Sequence, residues 1–319
     1  MRRFSLVHFA VAAIVTATMF GSPVAHAQSA QTFVAFNGPG PSCTRAAPCS
    51  SFSAAYGQTN PGGEIVCLDS GTFGGLTITR SITIDCTGAR GNANGAVFNI
   101  TNAATDFVVL RGLDFDIGGI TTNGGQAGLI IFDGAGTLQV ENTKFNAIRG
   151  DRNSAIYFTP TGPAKLIVAD SSITNISTAG TVAGIYIKPS SGVTSDVSIQ
   201  RTRIDGNNFG IIADGTGGGF IRGLVSDSFV THNRHNGITV ATAGSNTVLT
   251  VDNTKVSGNN FGLVATGSNA GMLVRRSIIN GNATGLFTAG GGVLLSYKDN
   301  SLNGNFTTDG AFTGFVNTQ

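Results

Sequence analysis

Gly206-Asn207-Asn208-Phe209-Gly210-Ile211 returns as Gly258-Asn259-Asn260-Phe261-Gly262-Leu263, and in looser form as Gly281-Asn282-Ala283-Thr284-Gly285-Leu286. Between the first two lies His232-Asn233-Arg234-His235-Asn236-Gly237-Ile238, a copy with one extra residue, and Gly304-Asn305 is a last echo. The leading asparagines Asn207, Asn233, Asn259, Asn282 and Asn305 stand 26, 26, 23 and 23 residues apart. Repeats of this length mark a solenoid, in which each coil buries its apolar face only against its neighbours.

The same grammar extends backward to about residue 108. Alternating apolar residues, as in Val197-Ser198-Ile199, give the period of two of a half-buried strand. A polar pair such as Arg201-Thr202 follows, then one apolar residue, then the Asn/Gly turn. The single apolar residues are Phe115, Phe145, Ile173, Ile204, Val230, Val256, Ile279 and Leu302, separated by 30, 28, 31, 26, 26, 23 and 23 residues. Asn and Gly tolerate the positive φ of a sharp corner, and asparagines stacked coil on coil can bond along the stack. Longer coils in the first half mark where extra turns could build a site. Helical periodicity is confined to Ser50–Tyr56, where Ser50 or Ser51 could cap a short helix presenting Phe52 and Tyr56 over the open first coil.

Arg2 and Arg3, the apolar run from Leu6 to Phe20 and Ala25-His26-Ala27 compose a secretory leader, so residues 1–27 are expected to be removed. Export to the periplasm or the exterior follows, and no stretch reads as a membrane span. The 19 basic and 17 acidic residues become equal in number once Arg2 and Arg3 are gone. The basic balance belongs to the leader and gives no support for nucleic-acid binding. Four cysteines, Cys43, Cys49, Cys67 and Cys86, favour two disulfides in an exported chain, with three possible connectivities. Cys43–Cys49 and Cys67–Cys86 are preferred, because Ile65/Cys67 and Ile82/Ile84/Cys86 alternate on matching faces of neighbouring strands. Neither CxxC pairs nor nearby histidines suggest zinc.

These coils resemble the right-handed parallel β-helix repeat proteins of the pectate-lyase-like superfamily. Cys43-Thr-Arg-Ala-Ala-Pro-Cys49, Gly62-Gly63-Glu64-Ile65-Val66-Cys67 and Ser81-Ile-Thr-Ile-Asp-Cys86 look like the N-terminal part of secreted bacterial members. The resemblance spans residues 32–319 and implies a fold, not an activity, since lyases, hydrolases, epimerases and adhesins share it. The expectation is all-β: a single-stranded right-handed parallel β-helix with a short N-terminal capping helix. Residues 28–62 would form the cap segment and 63–319 the helix. Polygalacturonase-type Asn-Thr-Asp, Asp-Asp, Gly-His-Gly and Arg-Ile-Lys signatures are missing, and so is the epimerase-type Asp-Pro-His.

Three constellations are candidate sites. Asp114 and Asp116 should share an outer strand face, roughly 6.5–7 Å apart, near the spacing of an inverting glycosidase pair. Lys144 falls in register with Asp114, and Arg149 and Arg152 follow in a charged stretch suited to an acidic sugar, with calcium if the chain is a lyase. An ion-paired strand face accounts for the same residues. His232 and His235, with Arg234, could work as acid or base, Asp205 one coil earlier orienting His232; a solvated turn is the plainer account. A flank row of Ile130, Tyr157, Tyr186, Ile212, Thr239, Val264 and Phe287 could bind sugar rings or a protein, or simply pack along the pleat. Arg201 with Asp170 and Asp227, and Arg276 with Asp299, read as an ion-pair ladder. Asp214 to Gly219 reads as a flexible turn.

The expected role is non-catalytic recognition of an extracellular polysaccharide or an envelope partner, with no resident metal or cofactor. The rival is a polysaccharide lyase or glycoside hydrolase using Asp114, Asp116, Lys144, Arg149 and Arg152. A structural or adhesive surface protein is the third class. The sequence leaves the glycan and the oligomeric state open.

Overall fold

The computed structural model describes residues 28–92, 97–116, 128–146, 154–176 and 180–317. The leader, Arg149 and Arg152 lie outside these residues. Among the described residues the chain is a parallel β-solenoid of the right-handed type, the sense that parallel crossovers almost always take. Every strand pairs in parallel with its counterpart one coil away, in sheets of twelve, nine and ten strands. We call them the long, flank and corner sheets.

One coil shows why the sequence winds this way. Thr194–Gln200 lies in the long sheet, Arg203–Asp205 in the corner sheet and Phe209–Gly215 in the flank sheet. Val197 and Ile199 point inward while Ser198 and Gln200 point out, so the alternation fixes the register. The turn into the corner sheet is made by one residue in the left-handed region. It is Asn142, Asp170, Arg201, Asp227, Asn253 and Arg276 in successive coils, with φ between 44° and 52°. The next residue is a buried hydroxyl: Thr143, Ser171, Thr202, Ser228, Thr254 or Ser277. Each returns a hydrogen bond to the carbonyl two residues back, as Thr202 Oγ1 does to Gln200 at 2.8 Å. Three also accept a main-chain N–H from the coil before, including Thr202 N to Ser228 Oγ at 3.1 Å. The polar pair of each coil therefore has one exposed and one buried member.

The corner column runs unbroken from Phe115 through Phe145, Ile173, Ile204, Val230, Val256 and Ile279 to Leu302, as the spacing predicts. Phe115 and Phe145 stack at 4.8 Å, and Phe98 joins Phe115 at 5.7 Å. In the next turn the positive φ falls on Gly206, His232, Gly258, Gly281 and Gly304, not on the asparagines that follow them. Those asparagines form a buried amide ladder: Nδ2 of Asn207, Asn233, Asn259 and Asn282 each donates to Oδ1 of the next, at 2.9–3.0 Å. The same oxygens take main-chain N–H groups from the preceding coil, so no ladder position lacks a partner. Asp309 ends the series, accepting from both nitrogens of Asn305.

At the other end Ser29–Val34 is the edge strand of the long sheet, paired with Thr59–Cys67, so sheet pairing reaches into the segment 28–62. A short helix, α1 (Phe52–Gln58), has Ser51 as its N-cap, the hydroxyl accepting from Ala54 N at 3.2 Å. Its buried Phe52 meets Phe73 at 5.2 Å and Phe98 at 5.8 Å. Cys43–Cys49 and Cys67–Cys86 are the two disulfides. Among the described residues no helix is long and apolar enough to cross a membrane.

Candidate functional site

The outward row of the corner sheet is Asp114, Lys144, Ser172, Arg203, Phe229, Lys255, Ile278 and Ser301, one residue per coil in continuous register. Beside it run the left-handed turn residues, and between the two rows lies the hydroxyl column. Two exposed rows flanking a buried one make a groove along the solenoid axis. It consists of three concavities of about 180, 500 and 270 Å³. The first two share Asn142 and Lys144, and the last two share Asp227 and Phe229. Phe229 is 55% exposed in this groove, an aromatic face open to a ligand.

Asp114 and Lys144 are side by side at one end of the groove, as the spacing predicts. Asp114 is largely buried, with Arg90 Nη1 at 3.9 Å from Oδ2. Asp116 is in register with Asn146. Arg149 and Arg152 cannot be placed relative to them. The remaining groove carboxylates, Asp170 and Asp227, sit on separate coils. Among the described residues no three His, Cys, Asp or Glu side chains gather as metal ligands.

The ladder of opposite charges is partly re-paired. Arg201 holds Asp170 bidentately at 2.7 and 2.8 Å, and this contact lowers the aspartate's pKa despite some burial. Arg276, expected against Asp299, turns its guanidinium to Asp252 instead, at 2.8 and 2.6 Å. Only its main-chain N–H reaches Asp299, at 3.0 Å. The long side chain spans back to the end of the preceding long-sheet strand, where a carboxylate presents both oxygens. Asp227 accepts from Asn253 Nδ2 at 2.6 Å.

His232 and Asp205 meet across one coil, Nδ1 to Oδ1, at 2.9 Å. Asp205 also accepts from Thr231 Oγ1 at 2.5 Å and Arg203 Nη2 at 2.8 Å. Burial resists its ionisation, but the hydrogen bonds from Thr231, Arg203 and His232 prevail and bring its pKa down to about 2. The His232 ring, largely in solvent, lies against Gly258 so closely that a Cβ there would be 2.6 Å from Cδ2. His235 stacks instead on Phe209, centroids 4.8 Å apart.

The flank row is aligned, but its first member is Ile131. Ile130 is wholly buried and belongs to the inward column. Tyr186, Ile212 and Val264 are each under 10% exposed. Tyr157 and Tyr186 stack at 5.2 Å and 5°, so one face of each ring is covered by the other. Tyr186 donates its hydroxyl to Asp214 Oδ2 at 2.7 Å, beside Lys188 Nζ at 2.8 Å. Burial and the Asp214 carboxylate both push the Tyr186 pKa up. Burial opposes ionisation of Asp214 too, but the bonds from Lys188, Thr216 and Tyr186 lower its pKa. Asp214 is thus an anchoring residue at the start of the glycine-rich turn. Thr239 is half-buried, its hydroxyl accepting from Asn236 Nδ2 at 2.9 Å.

Each outward residue of the corner strand is ordinary taken one at a time, so no single coil reveals the groove. Their sum over coils carries the signal: Lys144, Arg203, Phe229 and Lys255 recur at one register.

No family model and no curated protein matches this chain. Among solved structures, pectate lyase Pel9A is similar at 17% identity and a TM-score of 0.34, over 86% of this chain and 70% of that one.

Proposed function

We propose that the chain is an exported, non-catalytic polysaccharide-binding protein whose ligand lies along the corner-sheet groove. One observation carries the reading: three adjoining concavities share lining residues and run parallel to the solenoid axis, across the exposed ring of Phe229. A linear polymer matches a linear groove, and alkyl and aromatic faces flanked by cations suit a sugar chain. Two disulfides support an oxidising compartment, and residues 1–27 would direct export. Helix α1 would serve as the lid of the first coil, its Phe52 heading the phenylalanine column.

A second reading, a lyase or hydrolase for acidic glycans, draws on Asp114 and Lys144 being neighbours in the same groove. The test is binding of the mature, disulfide-bonded protein to a panel of immobilised polysaccharides, with soluble products assayed in parallel. Binding is expected without release of reducing ends or unsaturated uronates. Phe229→Ala should weaken it about tenfold, a loss of about 1.4 kcal/mol. Product release that Asp114→Asn abolishes would replace this reading with the enzymatic one. Binding untouched by Phe229→Ala would move the ligand off the groove.

A further inference from the structure

From Asn142 to Lys255 charge along the groove alternates coil by coil, and the following coil adds Arg276, whose guanidinium is turned to Asp252. The two rows contribute Asn142 and Lys144 to one coil, Asp170 and Ser172 to the next, then Arg201 and Arg203. Asp227 and Phe229 come next, then Asn253 and Lys255. Lys144, Arg203 and Lys255 thus place an exposed cation on every second coil, and Asp170 and Asp227 place a carboxylate on each coil between. Parallel strands stack about 4.8 Å apart, so the cations recur roughly every 9.6 Å and the set spans about 19 Å. One sugar in an extended chain advances it by about one such coil.

We propose that the groove selects an anionic glycan bearing one negative group on every second sugar, the uncharged sugar lying over the intervening coils. This rests on the groove being the polysaccharide site. The selection has an attractive and a repulsive part. Lys144, Lys255 and Arg203, whose Nη2 is also held by Asp205, receive the negative groups. A polymer charged on every sugar would in addition bring a carboxylate against Asp227, whereas Asp170 is already neutralised by Arg201, and such a like-charge contact rejects a near-match more strongly than attraction alone can. Phe229 occupies one of the uncharged coils, where a sugar face without a carboxylate can stack on its ring. Arg201 and Asp170 neutralise each other across one coil, so this pair adds no net charge to the pattern.

The experiment compares three decasaccharides of equal length by calorimetry at one salt concentration. They are an alternating glucuronate–N-acetylglucosamine chain, oligogalacturonate and a neutral N-acetylglucosamine chain. The alternating chain should bind at least tenfold more tightly than either other. Lys144→Gln and Lys255→Gln, both at exposed positions, should each weaken it about three- to tenfold. Asp227→Asn should narrow the gap to oligogalacturonate by raising affinity for the latter. Equal or tighter binding of oligogalacturonate, or no response to Asp227→Asn, overturns the every-second-sugar rule and leaves the groove reading standing. Equal binding of the neutral chain overturns the charge selection as a whole. Failure of all three, with the protein folded, overturns the polysaccharide reading itself.

Discussion

Replacing Asn259 by alanine tests the amide ladder at its centre. Its side chain is almost wholly buried. Oδ1 accepts from Asn233 N and Asn233 Nδ2, both at 2.9 Å, and Nδ2 donates to Asn282 Oδ1 at 2.9 Å and Val230 O at 3.1 Å. Alanine leaves the Asn233 N–H without an acceptor and the Val230 carbonyl without this donor, in a column closed to water. At about 1–3 kcal/mol for each buried group left unmet, the loss should be about 3–5 kcal/mol. Asn305→Ala cuts the same bonds in the last coil, where the side chain is only half-buried. Water replaces the partner there, and about 1 kcal/mol is expected. Asn259→Asp keeps the shape and removes the donor, setting a carboxylate against two oxygens. Its folded pKa is raised, so the variant is most stable below the unfolded carboxylate value and loses stability as pH rises through the folded one. Urea unfolding of the oxidised protein measures all three through the midpoint, at constant slope. A loss under about 1 kcal/mol for Asn259→Ala, or one no larger than that of Asn305→Ala, would refute the ladder as a buried support.

Three further outcomes are expected. Asp205 has its pKa depressed to about 2. It therefore adds stability above the unfolded carboxylate value that is lost as pH falls toward 2, at most about 2 kcal/mol for a partly solvated site. Asp205→Asn should flatten that limb of an acid titration of stability, and an unchanged limb would contradict the assignment. Cys67→Ser with Cys86→Ser opens a bridge between residues 19 apart in sequence and should cost about 2–4 kcal/mol, read as a lower urea midpoint. Tyr186→Phe removes the donor to buried Asp214 and should cost about 1–2 kcal/mol, with glycan affinity per folded molecule unchanged; a selective loss of affinity would restore the flank as the binding face.

The winding was legible because it is written in residues that have few alternatives. A buried amide needs partners for both its donor and its acceptor, and asparagines recurring one coil apart supply them to one another together with the main chain, so Asn207 to Asn305 announce both the turn and its vertical alignment. The apolar residue before each turn, from Phe115 to Leu302, has one side to face. The same logic gave Asp205 and His232 as neighbours. It failed by one residue at Ile130, which stands two positions after Gly128 just as Tyr186 and Ile212 stand two after Gly184 and Gly210. Gly128 instead pairs with Ser154, one position earlier in the strand, so Ile130 joins the inward column with Ile156 and Ile185. The hydroxyl column was missed for a chemical reason. Thr and Ser read as surface residues, and nothing in a single coil says that Thr202 will bond the carbonyl of Gln200 and so can be buried. The repeat Thr143, Ser171, Thr202, Ser228, Thr254, Ser277 at one register was the available signal.

The groove was harder to read for a related reason, which bears on how solenoids acquire sites. In a globular enzyme a site gathers distant residues by folding, and unusual residues stand out singly. Here each coil offers the groove only two outward side chains, and Lys144, Arg203 or Lys255 alone is an ordinary exposed cation on a strand. Meaning arises from the interval between them, set by the strand spacing and by nothing in the individual coil. A change of one residue in coil length slides every later side chain past its neighbours, as the extra residue at His232–Gly237 would have done. Yet Phe209 and Asn236 on either side of that insertion are followed by Ile211 and Ile238 in register, and the corner row remains aligned through Phe229 and Lys255. The insertion is absorbed on the flank side of the Asn turn, with His235 stacked outward on Phe209. The turn that tolerates an insertion is thus the one farther from the groove, while the turn that lines it keeps one left-handed residue and one buried hydroxyl in six consecutive coils.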